Sequence, residues 1–248
     1  MDLSIVIVSW NTRELLKKCL KSLFLYTKKI EFEVLVVDNA SSDQTVDMTK
    51  SDFPQIKVIK NQKNEGFAKA NNQAIRQAQA KHILLLNPDT EFIENSAEKV
   101  LQFMNDHQDA DIVGCQLLNA NKSLQPSVRR FPTIYSSLVQ LFKLHHFFKP
   151  EKILKKYLCA DFDYTKTQKV DQVMGAFLMF RKELGLLDEH YFLWLEEVDL
   201  CRRAKNVYYT PITKIVHYGN SSFKQVATIK KQKYFYQSLL YYFKKFSL

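Results

Sequence analysis

SIVIVSWNTRELLKKCLKSLFLY, residues 4–26, reads as a strand followed at once by a helix. Ser4 to Val8 is a short apolar run rich in β-branched residues. From Thr12 to Tyr26, Leu15, Leu16, Cys19, Leu20, Leu23 and Phe24 fall on one helical face. Thr12 is placed to cap that helix. The unit then recurs. A strand at Glu33 to Val37 precedes a short helix near Thr45, and a strand at Ile56 to Lys60 precedes a helix from Phe67 to about Gln79. A strand at His82 to Leu86 precedes a helix from Ser96 to His107. VLVV (34–37) and ILLL (83–86) are apolar throughout, as strands covered on both faces of a parallel sheet must be. The predicted class is therefore α/β, a mostly parallel central sheet flanked by helices.

Open sheets of this kind bind ligands beyond the carboxyl ends of their strands. Four polar groups stand there: Ser9, Trp10 and Asn11; Asp38 and Asn39; Asn61 to Phe67; and Asn87, Pro88 and Asp89. The chain has only five glycines, none close enough together for a G-x-G-x-x-G or a P-loop, so phosphates cannot be cradled by backbone amides alone. A site of carboxylates and amides instead suits a base and ribose held by side chains, with a diphosphate held through Mg²⁺ or Mn²⁺. Asp89, just past a buried strand and a rigid Pro88, is a candidate metal ligand; as a bare N-P-D turn it would mean only a loop. Asp38 can accept from a base N–H or a ribose hydroxyl, or serve as an Asx-turn residue. Asn64 and Asn71 can point amides at a ligand, though Asn71 also fits a solvated helix position.

The second half is less regular. Residues 121–170 show no dominant period, Val170 to Arg181 reads as one strand, and NVYYT (206–210) as a short one. Between them WLEEVDLCRR (194–203) places Glu196, Glu197 and Asp199 in a first helical turn, where the dipole favours acids. Asp199 and Arg203 are spaced to pair at i,i+4 on a surface helix. The flanking YFLWL puts the first acids at the lip of a packed pocket, and burial there would make a carboxylate a credible general base. His217, after an apolar strand, is a structural histidine or a metal ligand facing Asp89.

Charge locates as well as totals. Lys and Arg number 36 against 26 Asp and Glu, a formal +10. Residues 140–157 carry five Lys and one Glu, and residues 222–248 six Lys and no acid, which leaves a neutral body with two basic, aromatic-rich segments. Such a segment suits an anionic lipid surface, or a helix docked on the core with a solvated lysine face. Single-stranded nucleic acid fits less well, because no RNP or helix-turn-helix signature accompanies the charge, and no nucleic-acid partner is expected. Four scattered cysteines without C-x-x-C spacing fit a reducing compartment. The N-terminus reads as neither signal peptide nor span, so a cytoplasmic protein, peripheral on the inner face of the membrane, is expected.

Taken in order, SIVIVSWN, VLVVDNASSDQT, NEGFAKANNQAI, ILLLNPDT, GAFLMFRKE, YFLWLEEVDLCRR and VHYGNSS resemble the inverting family 2 glycosyltransferases of GT-A fold, particularly their rhamnosyltransferase-like branch. The resemblance implies one GT-A domain over residues 1–222, with a nucleotide-binding half (1–120) and an acceptor-facing half (121–222), followed by a basic aromatic helix at 223–248. It implies transfer of rhamnose or a hexose from a dTDP- or UDP-linked donor to a glycan hydroxyl, lipid-linked, in bacterial surface polysaccharide synthesis. A non-catalytic nucleotide-binding or membrane scaffold of the same fold is the alternative. By the same match Ser9, Trp10, Asn11, Asp38, Asn39, Asn64, Gly66, Phe67, Asn71, Asn87 and Pro88 shape the donor site. Asp89 and His217 bind the metal, and Glu197, flanked by Glu196 and Asp199, is the base. The sequence departs from the family pattern at Asn87, where the first acid of D-x-D would stand, and at Glu197, which replaces an aspartate.

Overall fold

The computed structural model describes residues 1–141, 151–219 and 228–247. The first half alternates as read: β1 (Leu3–Ser9), α1 (Arg13–Tyr26), β2 (Phe32–Asp38), α2 (Thr45–Asp52), β3 (Lys57–Lys60), α3 (Phe67–Gln77), β4 (His82–Leu86), β5 (Thr90–Phe92) and α4 (Ser96–Asp106). There follow β6 (Ile112–Leu118), β7 (Leu124–Gln125), β8 (Val128–Arg129), α5 (Ile134–Leu141), α6 (Glu151–Tyr157), β9 (Gln168–Val170), β10 (Gln172–Val173), β11 (Phe177–Arg181), α7 (Glu196–Arg203), β12 (Val207–His217) and α8 (Thr228–Lys245).

The main sheet runs β3-β2-β1-β4-β11-β6-β12-β5. β1 is parallel to β2 and β4, β2 to β3, and β6 to β12, whereas β11 lies antiparallel between β4 and β6. Side chains alternate across β1. Leu3, Ile5 and Ile7 join the core under α1 and α4; Val6 and Val8 join the opposite core, with Ala70, Ala74 and Ile75 of α3. This double burial is why these strands read as unbroken apolar runs.

Three details differ from the expectation. Thr12 precedes α1 but does not cap it with its side chain: its hydroxyl pairs with Ser9 Oγ at 2.8 Å, and the Arg13 N–H is taken by Asp43 Oδ2 at 2.9 Å. The single strand expected over Val170 to Arg181 is broken. β9 joins the main sheet as a branch on β12, β10 pairs with β8 in a separate ribbon, and β11 alone takes a place in the sheet's central run, between β4 and β6. Met174, Gly175 and Ala176 bridge the break, anchored where Met174 N–H donates to Ser127 O (2.9 Å) and Ala176 O accepts from Asn87 N–H (3.0 Å). β6, which no local pattern had marked, is a core strand with Gly114 near its middle. A Cβ there would lie 2.7 Å from Val173 Cβ, so β10 can cross only over a glycine, which in turn weakens the strand signal.

α8 packs one face on the chain around α7. Leu239 and Tyr242 are buried with Tyr191, Leu195 and Val198, Ser238 Oγ donates to Leu193 O, and Lys245 reaches Asp188 and Asp199 at 2.7 and 2.6 Å. The other face exposes Lys233, Tyr236, Gln237, Leu240 and Lys244. The lysine-flanked helix thus docks on the core and still presents a basic, apolar outer stripe. Residues 142–150 of the first basic segment, and 222–227 and 248 of the second, lie outside the described residues. No helix among the described residues is long and apolar enough to cross a membrane.

Candidate active site

A cavity of about 830 Å³ opens at the carboxyl ends of the strands. Of the residues read from the sequence, it is lined by Trp10, Asn39, Asn64, Gly66, Phe67, Asn87, Pro88, Asp89, Glu196, Glu197 and His217. Ser9, Asn11, Asp38, Asn71 and Asp199 do not line it, and their bonds show what they do.

Asn11, with φ 50°, takes the Ser42 N–H on Oδ1 (2.8 Å) and gives its own N–H to Ser41 Oγ (2.9 Å), tying the loop after β1 to the loop after β2. Asp38 is fully buried. Its Oδ2 accepts from Ser41 N–H at 3.1 Å, while Oδ1 is enclosed with no hydrogen-bond partner. Asn71 turns inward and donates to Phe67 O at 2.8 Å within α3.

Asn39 organises the third strand-end loop. Its amide nitrogen donates to Asn64 Oδ1 and Gly66 O, and its oxygen accepts from Asn61 Nδ2 and Glu65 N–H, all between 3.0 and 3.2 Å. Gly66, at φ 87° and ψ 171°, ends the loop. A Cβ on it would lie 2.7 Å from Phe192 O, the carbonyl that accepts the Phe67 N–H at 2.8 Å. The 61–67 loop is therefore clamped to the segment leading into α7.

That segment turns through two consecutive left-handed residues, Trp194 (φ 66°) and Leu195 (φ 71°), before α7 begins. Strain of this kind persists only where packing enforces it. Its result is to place Glu196 and Glu197 on the cavity. Asp199, 200° round the helix from Glu197, accepts instead from Arg203 Nε (2.9 Å), Lys245 Nζ (2.6 Å) and Tyr191 OH (3.2 Å), and so anchors α8. Glu196 Oε2 and Glu197 Oε2 are both buried without partners. Burial, and then the neighbouring Glu197 charge, push the Glu196 carboxyl well above its ordinary 4.5, and burial raises Glu197. Side by side and both raised, the two carboxyls retain a proton between them above the ordinary carboxylate range.

Asp89 and His217 face each other across the strand ends, with Oδ1 3.4 Å from Nε2. Gln125, which the sequence reading missed, settles the imidazole's orientation. Asn119 Nδ2 donates to Leu124 O, so Asn119 Oδ1 accepts from Gln125 Nε2 at 3.0 Å. Gln125 Oε1 must then accept the His217 Nδ1–H, at 2.8 Å. In the neutral imidazole the Nε2 lone pair is left pointing toward the Asp89 carboxylate, an arrangement that a cation shared between them relieves. No group of three or more His, Cys, Asp or Glu among the described residues is arranged to hold a metal. Two protein ligands suit a Mg²⁺ or Mn²⁺ that completes its shell with phosphate oxygens and water. Asn87 Nδ2 stands 3.5 Å from His217 Nε2 and brings no charge.

Lys230 and Tyr234 of α8 also line the cavity, with Tyr234 stacked on Phe192 at 4.4 Å. No signal in the sequence points to this, because nothing local ties residue 230 to strand ends more than a hundred residues earlier.

Comparison with known proteins agrees with this architecture. A relative from Haemophilus influenzae, an "Uncharacterized glycosyltransferase", is 31% identical over 47% of this chain and 40% of its own length. The Haloferax volcanii "Low-salt glycan biosynthesis hexosyltransferase Agl10" is 27% identical over 82% of this chain and 62% of its own. The chain thus spans less than two thirds of either protein. The Mycobacterium tuberculosis "N-acetylglucosaminyl-diphospho-decaprenol L-rhamnosyltransferase" is 23% identical over 87% of this chain and 76% of its own. Among solved structures, S. aureus TarS 1-349 in complex with UDP-GlcNAc superposes with a TM-score of 0.62 at 16% identity, covering 92% of this chain and 62% of that one. GalNAc-T7 with UDP, GalNAc and Mn²⁺ gives 0.63 at 16% identity, covering 88% and 44%. These likenesses show a GT-A fold. Residues 4–184 match the model of "Glycosyl transferase family 2", and the chain belongs to that family.

Proposed function

We propose that the protein is an inverting glycosyltransferase that moves rhamnose or a hexose from a dTDP- or UDP-linked donor to a hydroxyl of a lipid-linked glycan in surface polysaccharide synthesis. The observation that carries this is one cavity that holds Glu197, whose carboxylate oxygen Oε2 is buried with no partner, together with the Asp89–His217 pair. Donor class is supported by the nucleotide named for the TarS and GalNAc-T7 structures, and acceptor class by the decaprenol-linked substrate named for the mycobacterial relative.

In this reading Trp10, Asn39, Asn64, Gly66 and Phe67 shape the nucleotide side, and Asp38, buried behind them, holds the loop after β2 through the Ser41 N–H. Glu197 takes the proton of the acceptor hydroxyl. The freed oxygen bonds to the anomeric carbon from the face opposite the nucleotide, and the electron pair of the breaking C–O bond leaves with the diphosphate, which inverts the configuration. A Mg²⁺ or Mn²⁺ held by Asp89 and His217 supplies neutralisation of the leaving charge. Lys230 is positioned to offset part of the same charge, in a cavity where Asp89, Glu196 and Glu197 would otherwise repel a diphosphate. The outer stripe of α8 and the lysines of α6 support contact with an anionic membrane surface through residues 140–157 and 222–248, at the cytoplasmic face.

The test is a melting-temperature screen of nucleoside diphosphates and nucleotide sugars with and without Mn²⁺, followed by transfer to an octyl glycoside. At least one nucleotide should stabilise the protein, with an increment from Mn²⁺ that Asp89→Ala abolishes. No stabilisation by any nucleotide, or an Mn²⁺ increment that survives Asp89→Ala, overturns the assignment.

A further inference from the structure

We propose that a second, smaller cavity beside Glu197 seats a single pyranose ring of the acceptor; this rests on the transfer reading above and names what occupies its acceptor side. The cavity, about 160 Å³, adjoins the main one and shares Met174, Trp194 and Glu197 with it. It is too small for a nucleotide sugar. Its walls combine the aromatic rings of Tyr157, Trp194 and Phe235 with the polar side chains of Ser127 and Arg129. The Trp194 and Phe235 rings stand edge to face with centroids 5.8 Å apart.

Ser127 gives the strongest indication. Its backbone is pinned on both sides: the N–H donates to Tyr164 OH at 3.0 Å, and the carbonyl accepts from Met174 N–H at 2.9 Å. The residue is 3% exposed, yet its Oγ is buried with no hydrogen-bond partner. Glu197 Oε2, on the wall common to both cavities, is buried and unpartnered too. A buried polar atom without a partner is costly and rare, and two on one small cavity are accounted for when a ligand supplies the missing bonds. The ligand must offer hydroxyls to Ser127 and Glu197 and a flat apolar face to aromatic rings. A pyranose does both, since its C–H face packs on aromatics and its hydroxyls donate and accept. The position is also correct for the chemistry. A ring seated here presents one hydroxyl beside Glu197 where the two cavities share a wall, so the oxygen that Glu197 deprotonates faces a donor in the main cavity without the carboxylate standing between them.

The test uses the full chain, saturated with whichever nucleotide stabilises it, and a panel of octyl pyranosides (gluco, galacto, rhamno and N-acetylglucosaminyl) followed by saturation-transfer NMR. Ring protons of at least one glycoside should receive saturation from the nucleotide-bound protein. Ser127→Leu, which fills the cavity, should abolish that transfer and leave nucleotide affinity unchanged. Ser127→Ala should weaken glycoside binding about fivefold, the loss of one hydrogen bond. It should also raise the melting temperature of the ligand-free protein, because it deletes a buried unpaired hydroxyl. A serine of merely structural role would not produce that pair of opposite effects. Glycoside binding that persists in Ser127→Leu, or absence of any glycoside binding while nucleotide binds, overturns the site. If Ser127→Leu does not fold, an unchanged affinity in Ser127→Ala does so. Failure of every nucleotide to bind the unaltered protein is a separate result, and refutes the transfer reading together with the subsite that rests on it.

Discussion

Gly66→Ala strikes the joint between the two halves of the site. At φ 87° and ψ 171° the residue occupies a backbone region that is essentially glycine-only, where a side chain costs about 1–3 kcal/mol. The added Cβ would meet Phe192 O at 2.7 Å and Phe192 Cδ2 at 2.9 Å. The ring can swing away, but the carbonyl is backbone and accepts the Phe67 N–H, so relieving the overlap forfeits a hydrogen bond worth roughly 1 kcal/mol. Together these predict a loss of about 2–4 kcal/mol, which for a chain of this size lowers the melting temperature by roughly 4–16 °C. Function should suffer more than stability. Phe192 leads through the strained Trp194 and Leu195 to Glu197, and a shift of about 1 Å at the carboxylate can cost roughly 100-fold in turnover. Thermal melts and transfer assays at a temperature where the variant is fully folded separate the two effects. A melting point and turnover both matching those of the unaltered protein would refute the reasoning.

Glu197→Gln keeps the shape of the side chain and removes its basicity. Turnover should fall roughly 10²–10⁴-fold while nucleotide affinity by calorimetry holds, and retained turnover removes Glu197 as base. Glu196→Gln tests the sign of the buried pair. A carboxyl raised in the folded state stabilises the protein at low pH and loses that contribution as pH rises through its folded value. The variant should therefore melt increasingly above the unaltered protein as pH climbs from below 4.5 toward neutrality and beyond, and a pH-independent gap contradicts this. Gln125→Leu frees the His217 ring and should weaken Mn²⁺ binding, followed by electron paramagnetic resonance with nucleotide present, by about 10–100-fold; unchanged affinity means the orienting bond is idle.

Legibility in the sequence followed the range of the interactions involved. The β-α units of residues 3–106 could be read directly because a two-sided strand is an apolar run and a covered helix a periodic one, and each pattern is complete within a dozen residues. The polar groups at the strand ends followed from the same reading, since the chain must turn where the sheet stops. β6 escaped because Gly114, required by the crossing of Val173, erased the local strand signal. Val170 to Arg181 read as one strand because nothing in those residues records that Gln172 pairs with Arg129 while Phe177 pairs with Leu86.

The sequence by itself determined the fold class, the end of the sheet where the cavity opens and the small set of acids in the segment leading into α7. Tertiary structure alone decided how those acids divide. Glu196 and Glu197 face the cavity while Asp199, two residues on, is turned by the helix to hold Arg203 and Lys245. It also decided that Gln125 fixes the His217 ring and that α8 returns to bring Lys230 and Tyr234 to the site. A helix sends neighbouring side chains in different directions, and sheet pairing and helix docking join residues a hundred positions apart. Local pattern carries no record of either until the chain is packed.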